Sequence, residues 1–223
     1  SIAIITGVTG QDGTFLKQLL LEKNYHIVAL YRRCTPRSQD LFTSTENITY
    51  VEGDITDKSS IEQLVTSALC KSTDMPIEFY HLAAQSHVRC SFDTPYYTVH
   101  CNTIGTLNIL ETLRLQEKQK FKLYIAGTSE MFGRVSEVPQ TEKTHFNPLS
   151  PYGAAKLAAF ELGRVYRDSY NMFISNGLLF NHESEYRHVS FVTRKITSYV
   201  AKLRNGLVDE PLSLGYLDSK RDW

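Results

Sequence analysis

The sequence predicts an α/β protein: a doubly wound parallel sheet followed by the start of a smaller C-terminal lobe. Three observations predict it. Short apolar runs alternate with amphipathic segments along residues 1–180, a glycine-rich turn stands directly after the first run, and the long polar connections follow apolar runs. Strands separated by helices need right-handed crossovers, which produce a parallel sheet covered on both faces.

Residues 2–6 are apolar and end in Gly7, and residues 14–22 carry Phe15, Leu16, Leu19 and Leu20 at helical spacing. This reads strand, tight turn, helix. Residues 26–31 give a second strand, 48–52 a third, 61–69 a helix and 77–82 a fourth strand. A long helical pattern follows over 97–115, then a strand over 121–126, a helix over 151–170 and a strand over 172–180. After Phe180 the strict alternation lapses, leaving a helix near 191–204 and a short strand near 212–214. Residues 1–180 are thus expected to form a nucleotide-binding domain. Residues 181–223 are expected to begin a substrate-binding lobe whose remainder lies outside this sequence. Segments 32–47, 128–150 and 181–189 interrupt the pattern with polar residues. Ligands of open α/β sheets sit beyond the carboxyl ends of the strands, where such loops emerge.

With 223 residues, 42% of them hydrophobic, the chain can bury one substantial core. Lys plus Arg (24) equals Asp plus Glu (24), so no global field attracts nucleic acid or an anionic membrane. No stretch approaches the ~18 apolar residues of a spanning helix, and no basic leader precedes an apolar run. A cytoplasmic setting and a small-molecule substrate are expected. Cys34, Cys70, Cys90 and Cys101 form no C-x-x-C pair and no cluster with His, which reads as reduced thiols and implies no metal.

Gly7-Val8-Thr9-Gly10-Gln11-Asp12-Gly13 joins the first strand to the first helix. Its glycines tighten the turn and let backbone N–H groups approach a pyrophosphate at the helix N-terminus, the device of a Rossmann dinucleotide site. The spacing is G-x-x-G-x-x-G, the variant of extended short-chain dehydrogenases. An acidic residue ending the second strand would accept from a free adenosine ribose, but Tyr31-Arg32-Arg33 stands there. A guanidinium suits a 2′-phosphate, so NADP is favoured over NAD. The plain alternative is that Arg32 and Arg33 are solvated loop charges. Asp54-Ile55, after the third strand, is placed either to contact adenine or to cap the next helix.

Tyr152 and Lys156 open the helix after the long loop, four residues apart and so on one face. There the ammonium can stabilise a phenolate, making Tyr152 a candidate base, while Thr128 at the end of the fifth strand can hydrogen-bond the same hydroxyl. Glu130 selects the reaction. Oxidising a sugar at C4 needs only Tyr152 and the cofactor, whereas eliminating water across C5 and C6 also needs a group that takes one proton and delivers another. Read in isolation, Glu130 is a solvated loop carboxylate; its setting gives it the other reading.

Residues 7–13, 82–88, 128–130, 152–156, 180–184, 191–196 and 217–223 together resemble the GDP-mannose 4,6-dehydratase family, a branch of the extended short-chain dehydrogenases/reductases of the NAD-dependent epimerase/dehydratase group. The likeness runs along nearly the whole chain. It implies a catalytic set of Thr128, Glu130, Tyr152 and Lys156. It implies NADP contacts from Gly7, Thr9, Gly10, Gln11, Asp12, Gly13, Arg32, Asp54, Ile55, Leu82, Ala83, Ala84, Gln85, Ser86, Tyr97, Lys156, His182 and Arg187. Substrate contacts are implied for Ser86, Glu130, Tyr152, Asn181, Lys195 and Arg221, the last suited to a diphosphate. A homo-oligomer, dimer or tetramer, is also implied. Ser129 precedes the Glu, as in the GDP-mannose enzymes, where other hexose dehydratases often have Asp. Two features depart from the family pattern: the loop after Arg33 is short and differently composed, and Glu185-Tyr186-Arg187-His188 replaces a Pro-Arg-Arg-Gly-like run.

The expected reaction is conversion of GDP-mannose to GDP-4-keto-6-deoxymannose with an internally recycled cofactor, a lyase reaction without net redox change. The rivals are dehydration of another nucleotide sugar such as a GDP-heptose, a 4-epimerase or 4-reductase that needs no elimination base, and a non-catalytic NADP-binding module.

Overall fold

The computed structural model describes residues 1–33, 42–72, 75–116, 120–218 and 220–223. Cys34, most of the polar segment after Arg33, and Ser219 lie outside the described residues. The described chain divides into two compact units, Ser1–Leu179 and Phe180–Trp223.

In the first unit, six parallel strands lie in the order β3-β2-β1-β4-β5-β6. They are β1 (Ile2–Thr6), β2 (His26–Tyr31), β3 (Ile48–Glu52), β4 (Ile77–His81), β5 (Phe121–Ala126) and β6 (Phe173–Gly177). The order reverses between β1 and β4, the topological switch point at which an open sheet holds its ligand. Along β1 every residue is buried, and alternate side chains feed opposite layers. Ile2 and Ile4 join a large cluster with Phe79, Leu123 and residues of α2 (Lys58–Leu69). Ala3 and Ile5 join a smaller one with Val8 and Leu20 of α1 (Gln11–Glu22). A continuous apolar run is therefore what a strand covered on both faces requires.

α1 begins three residues earlier than its apolar spacing suggests, because Gly10, with ψ 173°, is its N-cap. The helix expected over 97–115 is broken into pieces. Short helices α3 (Val88–Asp93) and α4 (Pro95–Val99) lead into a π-helical turn over His100–Ile104, and α5 (Gly105–Arg114) completes the run. Pro95 sets the start of α4; Asn102 in the π turn bonds Gln85, and Thr106 in the first turn of α5 bonds His81. α6 (Pro151–Tyr170) matches its expected span, with the Ser150 hydroxyl accepting from Gly153 N and Pro151 at the first helical position.

Two strands differ from expectation. β6 stops at Gly177 instead of Phe180, since its partner β5 ends at Ala126, the residue opposite Gly177. In the second unit, residues 212–214 form no strand; the Ser213 carbonyl accepts instead from Lys195 Nζ at 2.8 Å. That unit centres on α7 (Val192–Arg204), none of whose residues is buried within it.

Candidate active site

The phosphate turn closes with Gly10 N donating to Gly7 O (3.0 Å) and Thr14 N to Gly10 O (3.0 Å). Gly7 has φ +78°, and a Cβ there would stand 2.7 Å from Ala83 N. A Cβ on Gly13 would stand 2.2 Å from Gly7 O. Only glycine permits this conformation and these approaches, so the turn folds down against α1 and lies on the backbone of residues 82–83. Thr9 and Gly10 are exposed, Gln11 and Asp12 half-buried.

At the end of β2, Arg32 Nη1 donates to the Tyr97 hydroxyl at 2.8 Å and lies 3.7 Å from Asp54 Oδ2. The structure therefore brings together Arg32, Asp54 and Tyr97 from three elements distant in sequence. Arg33 instead pairs with the exposed Glu52 at 3.4 Å. Asp54 does not cap α2. Its carboxylate accepts from Thr56 N (2.9 Å) and Thr56 Oγ1 (2.8 Å), while Asp57 caps the helix through Ser59 N and Ser60 N. Ile55 is buried beneath Gly105.

The loop over Leu82, Ala83, Ala84, Gln85 and Ser86 leaves β4 at the switch point. Leu82 N donates to Thr6 O (3.1 Å), and Gln85 is held at both backbone groups by the Asn102 amide, at 2.8 and 3.0 Å. Ser86 is exposed.

Thr128 follows β5 and is buried; its hydroxyl accepts from Glu130 N at 3.3 Å, capping a 3-10 turn over Ser129–Met131. Glu130 is half-buried. A Cβ on Gly153 would stand 2.6 Å from Glu130 O, so the carboxylate-bearing turn rests on the first turn of α6. Tyr152 (7% exposed) and Lys156 (6% exposed) occupy that end of α6. Lys156 Nζ donates to Ala126 O at 2.8 Å, and burial pulls its pKa down to about 8, against a small opposing influence of the Cys101 thiol. The turn bearing Thr128 and Glu130 and the first turns of α6, bearing Tyr152 and Lys156, thus meet at the carboxyl end of β5.

The remaining site candidates stand in the second unit. Asn181 Nδ2 donates to Asp222 O at 2.9 Å, and Arg221 Nη1 to Lys220 O at 2.8 Å. Lys195 holds the Ser213 carbonyl, and His182 Nδ1 lies 2.8 Å from Phe180 O. Arg187 pairs with Glu183 at 3.1 Å and stacks its guanidinium 3.8 Å over the Phe191 ring. Sequence reasoning passed over His81 and Asn102, the polar groups that tie the 82–86 loop down. The only sequence signal for His81 is a polar residue closing an apolar strand.

A switch-point phosphate turn, a Tyr/Lys pair at the start of α6 and a parallel six-stranded sheet define the extended short-chain dehydrogenase/reductase class. The same fold occurs in RMD from Pseudomonas aeruginosa complexed with NADPH (TM-score 0.75, 24% identity, 100% of this chain and 69% of that one). It occurs too in a UDP-glucose 4-epimerase from Thermotoga maritima (TM-score 0.77, 22% identity, 92% and 64%). The family model of GDP-mannose 4,6 dehydratase matches residues 4–223, and the chain belongs to that family. It is similar to GDP-mannose 4,6 dehydratase 2 of Caenorhabditis elegans (44% identity, 100% of this chain and 59% of that protein). The human GDP-mannose 4,6 dehydratase (43%, 100% and 61%) and that of Vibrio cholerae (43%, 100% and 60%) are comparably similar. The chain spans about three fifths of the length of these relatives. No helix among the described residues is long and apolar enough to cross a membrane, and none of their His, Cys, Asp and Glu side chains form a metal-holding group.

Proposed function

We propose that this chain is the cofactor-binding part of an NADP-dependent GDP-mannose 4,6-dehydratase, with residues 1–180 holding the dinucleotide and residues 181–223 opening the substrate lobe. The observation that supports the reading is the seat of the Glu130 backbone on Gly153, which brings the turn carrying the proposed acid/base carboxylate against the first turn of α6, where Tyr152 stands. Family membership supports the sugar nucleotide. The residues fit the cofactor: the closed glycine turn at the N-terminus of α1 suits a pyrophosphate, and Arg32, at the end of β2, would suit a 2′-phosphate.

Bound NADP would supply the hydride acceptor for C4 and the hydride donor for C6, and the Tyr152 phenol would return its proton to C5 as the hydride comes back. Tyr152 takes the proton of the C4 hydroxyl, and Lys156, an ammonium in a dry site, stabilises the phenolate that binds it. Thr128 hydrogen-bonds the same hydroxyl and orients it. Once C4 is a ketone the C5 proton is acidic; Glu130 removes it and delivers a proton to the departing C6 hydroxyl, so one carboxyl group is base and then acid. Ser86 contacts the substrate within the same unit, and Asn181, Lys195 and Arg221 are assigned to it from the second. His182 and Arg187 are assigned to the cofactor. A homo-oligomer is supported by Phe92, Tyr96 and Val99, which stand exposed on adjoining helical turns.

Incubation of the full-length protein with GDP-mannose and catalytic NADP should yield the 4-keto-6-deoxy product by mass spectrometry without added NADPH. CDP, UDP and dTDP sugars and a GDP-heptose form the comparison panel. Steady NADPH consumption, or preference for another sugar nucleotide, would overturn the assignment.

A further inference from the structure

His81 is a titratable side chain that the proposed chemistry does not use, and it is 2% exposed at the end of β4. Its Nδ1 lies 2.8 Å from Thr6 Oγ1 and its Nε2 lies 3.0 Å from Thr106 Oγ1. The Thr106 hydroxyl donates to Asn102 O at 2.7 Å. A hydroxyl has one proton, so Thr106 must accept from the imidazole, and Nε2 carries the hydrogen. Nδ1 is then the acceptor for the Thr6 hydroxyl, which in turn accepts from Ala83 N at 3.4 Å. The polarity of the whole chain is fixed: Ala83 N–H to Thr6, Thr6 to His81, His81 to Thr106, Thr106 to the carbonyl of Asn102.

The three partners belong to three cofactor-facing segments. Thr6 immediately precedes the phosphate turn, Ala83 lies in the 82–86 loop that Gly7 rests on, and Thr106 follows the π-helical turn whose Asn102 amide grips Gln85. We infer that His81 is a positioning residue: as a neutral, Nε2-protonated imidazole it fastens the phosphate turn and the 82–86 loop to the π-helical turn, making one rigid shelf for the cofactor. Burial and the nearby Lys156 ammonium both hold the ring in its neutral form. Protonation at Nδ1 would take away the acceptor for the Thr6 hydroxyl proton and force that hydroxyl to turn.

The shelf is a property of the chain itself, whereas its use in binding rests on the cofactor reading above, and the experiment separates the two. Amide hydrogen exchange is measured on the cofactor-free chain for wild type, His81→Leu, which loses both bonds, and His81→Asn, whose amide can keep the Thr6 bond. Phe79→Leu, in the same strand and on the same face, serves as a control that loosens the core without touching the network. Exchange at residues 7–13 and 82–86 should accelerate at least tenfold in His81→Leu beyond the Phe79→Leu control, with partial rescue in His81→Asn. The NADP dissociation constant should rise in the same order. Should His81→Leu fail to fold, His81→Asn and the ring nitrogen resonances of the wild type carry the test. Uniform acceleration across the sheet, matching Phe79→Leu, or an Nδ1-protonated ring, would overturn the inference. Local acceleration in a chain that never binds NADP would leave the shelf standing and remove the cofactor reading instead.

Discussion

Replacing Lys156 with Met should make the protein more stable while abolishing its proposed chemistry. The ammonium is 6% exposed and burial lowers its pKa from 10.5 to about 8. At about 1.4 kcal/mol per pH unit, the charged form costs about 3 kcal/mol in the folded state at neutral pH. Losing the donor to Ala126 O returns about 1 kcal/mol, so Lys156→Met should gain about 2 kcal/mol at pH 7. The sign with pH follows from linkage. Between pH 8 and 10.5 the unfolded chain binds more protons at this site than the native one, so wild-type stability rises with pH relative to the variant. By pH 9.5 the wild type should have recovered about 2 kcal/mol, and the advantage of the variant should vanish. Urea denaturation of both proteins at pH 7 and 9.5, followed by far-UV circular dichroism, measures the difference. A variant less stable than wild type at pH 7, or an equal gap at both pH values, would refute the account of a desolvated ammonium.

Three further outcomes are expected. Glu130→Gln should slow dehydration by about 10²–10⁴-fold while leaving oxidation at C4 and reduction of the bound cofactor detectable at 340 nm; equal loss of both would remove the carboxylate from the elimination step. His81, held near pKa 3 by burial and by Lys156, binds fewer protons folded than unfolded below pH 6.5. Wild-type stability should therefore fall faster on acidification than that of His81→Asn, by about 3 kcal/mol more at pH 4.5, and parallel urea-midpoint curves would contradict this. Gly153→Ala inserts a methyl 2.6 Å from the Glu130 carbonyl and should cost about 1–3 kcal/mol in thermal melts together with a fall in turnover; unchanged turnover would show that the seat of Glu130 does not matter.

The alternation of strands and helices was legible in the sequence because apolar periodicity is local: residues 2–6 and 26–31 are buried on both faces and contain little else. The glycine turn and the Tyr152/Lys156 pair were legible for the same reason, each being a short motif on one element. Boundaries set by partners were not. β6 ends where β5 ends, and residues 212–214 lack a neighbouring strand among the described residues, although both runs look extended by composition. The break at residues 100–104 escaped notice because an apolar helical pattern does not show how the backbone hydrogen bonds are spaced.

By itself the sequence determined the order of the sheet's elements, the phosphate turn, the guanidinium in place of an acid after β2, and the chemical types in the proposed catalytic set. Only the tertiary structure decided which of these groups meet. Arg32 finds Tyr97 across 65 positions and Asp54 across the strand end, Glu130 is seated on Gly153, and His81 draws Thr6 and Thr106 together from 75 and 25 positions away. The physical reason is that periodicity and turn chemistry act over a few residues, whereas hydrogen bonds between buried side chains and the protonation states they impose depend on which surfaces the packed sheet brings into contact.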